Sequence, residues 1–141
     1  MIMNIERVAS MTIKSSFAIT AGRFSYWYLH TFMKGGSSLP GKIATKFDPA
    51  VLKQLTKNYD VIIITGTNGK TLTTALTVQT LKQKYDHIMT NSSGSNMMQG
   101  LTTAFLADHP QKGQRQLAVL EVDEANVDPL CHYIKPNAIV M

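Results

Sequence analysis

Val61-Ile62-Ile63-Ile64-Thr65-Gly66-Thr67-Asn68-Gly69-Lys70-Thr71 is the stretch whose reading decides the fold. Four consecutive β-branched residues predict a strand covered on both faces, because such a strand needs no polar alternation. Gly66 and Gly69 then allow a turn with positive φ and a close backbone approach to a ligand. The amides of the turn and of the helix that follows point at an anion. Lys70 adds a mobile positive charge, and Thr71 a hydroxyl of the kind that binds the Mg²⁺ accompanying a nucleotide. The spacing is not that of the usual G-x-x-x-x-G-K-[ST] loop, which would need glycine where Ile64 stands. The competing reading is an ordinary strand-turn-helix corner whose glycines serve only the turn. A strand before and a helix after is the context that phosphate binding requires.

Downstream, Thr71 to Lys84 is expected to be a helix buried through Leu72, Ala75, Leu76, Val78 and Leu81. His87 to Thr90 reads as a short strand, Asn91 to Asn96 as a polar loop, and Met98 to about Asp108 as a helix. A Pro/Gly connection, Pro110 to Gly113, leads to a buried strand, Leu117 to Leu120, that ends at Glu121. Asp123 to about Tyr133 is expected to be helical, and Asn137 to Met141 to begin one more strand. Upstream, Asp48 is expected to cap a helix with Pro49 in first position, running to about Asn58. Gly35 to Gly41 reads as a loop, and residues 1–34 as one or two helices with Ile5, Val8, Met11 or Thr12 and Ile19 on an apolar stripe. Strands alternating with helices imply an α/β fold with a parallel sheet and helices on both faces. Its ligands bind beyond the carboxyl ends of the strands. The expected division is a basic helical segment with its loop, residues 1–45, and the first part of a nucleotide-binding domain, residues 46–141.

Hydrophobic residues make up 44% of the 141 residues and charged ones 16%, values of a globular chain rather than a disordered one. The net charge of +5 belongs to the front: through Asp60 eight cations face three acids, whereas from Val61 six face six. With Tyr26, Trp27, Tyr28 and Phe32 nearby, such a front could meet nucleic acid or an anionic membrane surface. The cations are spread singly, which favours a solvated surface around packed aromatics, with no nucleic-acid partner. No stretch suits a transmembrane helix, and Glu6 and Lys14 spoil a signal peptide, so a cytoplasmic location is expected. Cys131, the single cysteine, excludes an internal disulfide, and its pairing with His132 cannot assemble a tetrahedral metal site.

The Gly66-Thr67-Asn68-Gly69-Lys70-Thr71 loop after an apolar strand resembles the ATP-binding loop of the Mur ligase superfamily. Three further stretches narrow the resemblance to the MurT-like ligase subunits of lipid II isoglutaminyl synthases. They are Leu39-Pro40-Gly41-Lys42-Ile43-Ala44 with Asp48-Pro49, Asn91-Ser92-Ser93-Gly94-Ser95-Asn96-Met97, and Glu121-Val122-Asp123-Glu124-Ala125-Asn126. The resemblance runs nearly end to end but covers about the first third of such a subunit, so the chain is expected to be truncated, retaining the P-loop-type core of the central domain.

What the resemblance implies is an ATP- and Mg²⁺-dependent ligase of peptidoglycan synthesis that activates the α-carboxylate of the D-glutamate of lipid II. A GatD-type glutaminase partner would supply ammonia, giving D-isoglutamine. The family's zinc ribbon of four cysteines has no counterpart here. Residue by residue, the resemblance places Gly66, Thr67, Asn68, Gly69, Lys70 and Thr71 on the nucleotide, with Lys70 catalytic, and Thr71 and Glu121 on the metal. Ser93 and Asn96 belong to a second loop that faces the nucleotide and the acceptor. Simpler readings stand beside these: Asn68 as a turn former, Ser93, Gly94 and Asn96 as a solvated turn, and Glu121 as an acid favoured by a helix dipole. Asp123 and Glu124 are read as such helix-start acids. Leu72 stands where the family more often has threonine, which predicts tuning of the phosphate site. The other functional readings are a non-catalytic nucleotide-binding fragment and another superfamily ligase such as a folylpolyglutamate synthase.

Overall fold

The strand extends two residues upstream of its β-branched core, through Asp60 to Tyr59: β1 spans Tyr59–Ile64. In the computed structural model, which describes residues 2–33, 38–91, 97–109 and 114–141, it lies inside a four-stranded sheet. The other strands are β2 (Ile88–Thr90), β3 (Gln116–Glu121) and β4 (Ala138–Val140), in the order β2-β3-β1-β4 with every pairing parallel. Side chains alternate across this sheet, so each strand feeds two layers. Val61, Ile63, Ala118 and Leu120 join Leu101, Phe105, Leu130 and Ile134 in one core. Ile62, Ile64, Leu117 and Val119 meet Val78, Leu81 and Tyr85 on the other face. The α/β architecture expected from the strand-helix alternation is present.

Helix α4 (Lys70–Leu81) covers the second face, but not with the expected side chains. Leu72 and Leu76 are 66% and 58% exposed, and Thr74 is the buried residue. The loop sets the rotation of the helix: Thr71 faces β3, and Thr74, Val78 and Leu81 follow it at helical spacing, which turns Leu72 and Leu76 away from the sheet. The first face is covered by α5 (Met98–Ala107) and α6 (Glu124–Cys131).

Upstream, α1 is one helix, Ile2–Met33. The side chains of Ile5, Val8 and Met11 lie outside the described residues, while Ala18 and Ile19 pack against α5 and its neighbours through Ala44, Val51 and Leu106. The reading of Gly35 to Gly41 as loop fails at its second half, because α2 spans Leu39–Phe47. Pro40 sits in its first turn, where the missing amide costs nothing. Gly41 is inside the helix because α2 lies directly on α5: its amide donates to Thr103 Oγ1 at 2.9 Å, and a Cβ there would stand 1.9 Å from the Gln99 carbonyl oxygen. Asp48 also differs from expectation. It ends α2, its Oδ1 accepts the Ala50 amide at 2.9 Å, and its Oδ2 accepts the Ser15 hydroxyl. The next helix, α3, is only Val51–Leu55.

At the amino ends of the strands Tyr59 donates to Asp108 Oδ2 at 2.5 Å, and His87 Nε2 lies 2.7 Å from Asp108 Oδ1. Burial first, and then the adjacent carboxylate, push the Tyr59 phenol well above its ordinary value.

Candidate functional site

The site forms where β1 and β3 end side by side. Ile64 is paired with Glu121, and Val122 donates its amide to the Ile64 carbonyl, so the turn after β1 and the turn after β3 leave the sheet together. Between β1 and α4, Gly66 (φ 136°) and Gly69 (φ 80°) take left-handed conformations that strain other residues. A Cβ at either would meet nothing, so the dihedral alone calls for glycine. Gly69 is also the N-cap of α4 and makes no side-chain cap. The first amides of α4 therefore have no intrahelical acceptor and present their dipole end to the loop.

Lys70, the first residue of α4, folds its side chain back across this end. Its Nζ donates to the Gly66 carbonyl at 2.7 Å and lies 3.4 Å from Asp123 Oδ1 and 3.9 Å from Glu124 Oε2. The side chain is 14% exposed, against 40% and 48% for the two acids. The ammonium is thus fixed by its own loop and shared with solvated carboxylates, each attraction worth at most about 1 kcal/mol. Glu124 is held below the ordinary carboxyl value, first by its own backbone amide, against an opposing desolvation, with the Thr67 hydroxyl and then the Lys70 charge adding to the lowering. Asp123 is the N-cap of α6 and Glu124 opens its first turn. They are helix-start acids as expected, but they also belong to the surroundings of Lys70, which sequence reasoning missed. Only the pairing of β1 with β3 brings residues 70 and 123 together.

Thr71 Oγ1 donates to Glu121 Oε1 at 3.1 Å. Magnesium binds oxygens at about 2.1 Å in octahedral geometry, which separates adjacent ligands by about 3.0 Å. The two oxygens therefore fit one edge of such a coordination shell, and their chemistry, a hydroxyl and a carboxylate, suits a hard cation. Among the described residues no cluster of three or more His, Cys, Asp or Glu side chains forms a metal site.

Asn91 sets the position of Glu121. Its Nδ2 donates to the Glu121 carbonyl and its Oδ1 accepts the Glu121 amide, both at 2.8 Å, and it is 3% exposed. This residue extends the sheet with a side chain beyond the end of β2, a role no local pattern signals. The hydroxyls of Thr65 and Thr74 are buried without a hydrogen-bond partner among the described residues. Thr67 and Asn68 are exposed on the loop. Ser93 and Asn96 lie outside the described residues, and Cys131 packs against the core.

Comparison with known proteins places these features in a family. Residues 64–141 match the Mur ligase middle domain. The subunit MurT of the glutamine-hydrolyzing lipid II isoglutaminyl synthase of Streptococcus pneumoniae (strain ATCC BAA-255 / R6) is 47% identical over 131 residues, 93% of this chain and 29% of its own length. MurT of Staphylococcus aureus (strain N315) is 39% identical over 108 residues, 76% of this chain and 24% of its own length. The chain thus spans less than a third of the curated relatives it matches. The domain match begins at the last residue of β1 and takes in the glycine turn, Lys70 and Glu121, and on that ground the chain belongs to the Mur ligase family.

Proposed function

We propose that this chain is the nucleotide-gripping part of a MurT-like, ATP-dependent carbon–nitrogen ligase subunit. In a longer protein it would activate the α-carboxylate of the D-glutamate of lipid II for amidation to D-isoglutamine in the cytoplasm, with ammonia supplied by a GatD-type glutaminase. The single observation that best supports this reading is the meeting of Lys70, Thr71 and Glu121 at the adjoining ends of β1 and β3. Residues 46–141 carry the site, and residues 1–45 form a basic segment whose helices pack against α5.

The chemistry asked of these residues is electrostatic. The turn from Gly66 to Gly69 and the first amides of α4 orient the phosphates, with Thr67 and Asn68 at the rim. Lys70, already aimed across the turn, shifts from Asp123 and Glu124 toward the terminal phosphoryl group and stabilises its developing charge. Thr71 and Glu121 would hold Mg²⁺, which neutralises the phosphates when bound. Asn91 keeps Glu121 in register by gripping its backbone, which places the carboxylate beside Thr71. Ser93 and Asn96 would face the nucleotide and the acceptor.

Calorimetry of Mg-ATP binding to the chain and to Lys70→Ala, beside thermal melts of both, tests the proposal. The expected result is cooperative melting of both proteins, binding by the parent and its loss in the variant. Equal binding by the two would refute the role of Lys70. Because the chain spans 29% of its relative's length, a second reading is a nucleotide-binding piece that catalyses nothing alone. Mixing the chain with lipid II, ATP and the glutaminase separates the two, since amidated product would overturn the second reading.

A further inference from the structure

Helix α1 is built inside out for a helix on a soluble domain. Ser15, Ala18 and Gly22, all small and on one helical face, are its buried positions among the described side chains, and they let α1 settle against Ala44 of α2 and Leu106 of α5. The opposite face carries Ile13, Phe17, Phe24, Trp27 and Tyr28, which are 51–70% exposed. Phe47 of α2, 53% exposed, packs edge-on against Phe17 and extends the same surface. Of the aromatics expected to be packed, Trp27 and Tyr28 are exposed and Tyr26 is half-buried, while the side chain of Phe32 lies outside the described residues. Large apolar side chains exposed together on one face mark an interaction surface rather than ordinary surface scatter.

Charge identifies what that surface meets. From Arg7 to Phe47 there is no acidic residue, while Arg7, Lys14, Arg23, Lys34, Lys42 and Lys46 supply six cations. By helical position Lys14 and Arg23 lie on opposite flanks of the apolar face, where long side chains can keep their charges in water while their stems lie along an apolar layer. Along the Arg23 flank a pocket of about 220 Å³ is lined by Arg23, Tyr26, Trp27, His30 and His109, groups able to hydrogen-bond a phosphate ester. Trp and Tyr prefer the boundary between headgroups and acyl chains. Among the described residues no helix is long and apolar enough to cross a membrane, and an exposed apolar face flanked by cations suits a helix that lies along the interface.

We propose that α1, with the adjoining end of α2, docks the protein on an anionic phospholipid bilayer. This rests on the face of α1 and not on the nucleotide reading, so either can fail alone.

Trp27 is the only tryptophan and reports on the face directly. Its emission is followed as the chain is titrated with phosphatidylglycerol–phosphatidylcholine vesicles and with phosphatidylcholine vesicles. The expected result is a blue shift, quenching by bromine-labelled acyl chains, and partitioning at least about tenfold stronger to the anionic vesicles, weakened by salt. The double variant Phe17→Ser/Phe24→Ser should melt like the parent, since both side chains are exposed, and lose about tenfold or more in partitioning. Lys14→Glu/Lys42→Glu should lose the preference for anionic lipid. Equal partitioning to both vesicles, or no shift of Trp27, overturns the proposal. So does a vesicle-free chain that is dimeric with Trp27 already shielded from a water-soluble quencher, because a second copy then covers the face.

Discussion

Replacing Gly41 by alanine sets two opposed magnitudes against each other, and the structure decides between them. In a helix interior the change from glycine to alanine ordinarily stabilises by about 1 kcal/mol. Here the new Cβ would lie 1.9 Å from the Gln99 carbonyl oxygen and 2.7 Å from Thr103 Oγ1, where ordinary contacts begin near 3.4 Å. The nearest obstacle is backbone and cannot rotate aside, so α2 must withdraw from α5 by more than 1 Å. That withdrawal breaks the Gly41 to Thr103 hydrogen bond, worth about 1 kcal/mol, and loosens the buried contact of Ala44 with Leu106. Overpacking costs about 1–3 kcal/mol by itself. The net expectation for Gly41→Ala is a loss of about 2–3 kcal/mol, which lowers the melting temperature by roughly 10 °C. Gly22→Ala is the control, because its closest obstacle is the rotatable Leu106 side chain at 2.7 Å, and it should cost less than half as much. Calorimetric melts of both variants decide the matter. A Gly41→Ala protein melting at or above the parent would refute the close-packing argument.

Asn91→Ala strands the amide and carbonyl of Glu121, and at about 1–3 kcal/mol for each group it should cost roughly 2–4 kcal/mol in urea denaturation; a loss under about 0.5 kcal/mol would contradict the clamp. Asp123→Asn/Glu124→Gln removes the competitors for Lys70 and should tighten Mg-ATP binding by up to about fivefold, given the modest worth of exposed ion pairs, whereas weaker binding would show that the acids themselves serve the ligand. The Tyr59 phenol is raised in the folded state above its unfolded value of 10.0, so its contribution to stability is complete below that pH and is lost as pH rises from there through the higher folded value. Tyr59→Phe should therefore remove up to about 1.4 kcal/mol per pH unit of alkaline destabilisation, read as the parent-minus-variant difference in urea melts on either side of that pH.

The parts of this molecule legible in the chain are those with a local cause. Val61 to Ile64 announce a strand covered on two faces, and Gly66 and Gly69 announce a turn with positive φ, because each depends on neighbouring residues only. The burial of α4 was not legible: Leu72 and Leu76 satisfy a helical period as well as Val78 and Leu81 do, and only the pose of Thr71 against β3 selects one face. Leu39-Pro40-Gly41 read as loop because proline and glycine punctuate most loops. Here proline starts a helix and glycine admits another helix's backbone. The clamp of Asn91 on Glu121 and the place of Asp123 and Glu124 beside Lys70 escaped notice because strand order, which no residue states, brings these residues together. The outward aromatics of α1 have the composition of a core and the placement of a surface.

The strand order has a consequence for how the site comes into being. Both neighbours of β1 lie far downstream, β3 beginning at Gln116 and β4 at Ala138, and among the described residues nothing upstream pairs with it. At about 5–20 residues per second of synthesis, Val61 to Ile64 wait several seconds beyond the ribosome without a ladder partner. Four exposed β-branched residues in that interval are an invitation to misassociation, and the glycine turn has no fixed root to stand on. The segment proposed to grip phosphate is thus made before its ladder partners and organised only after them.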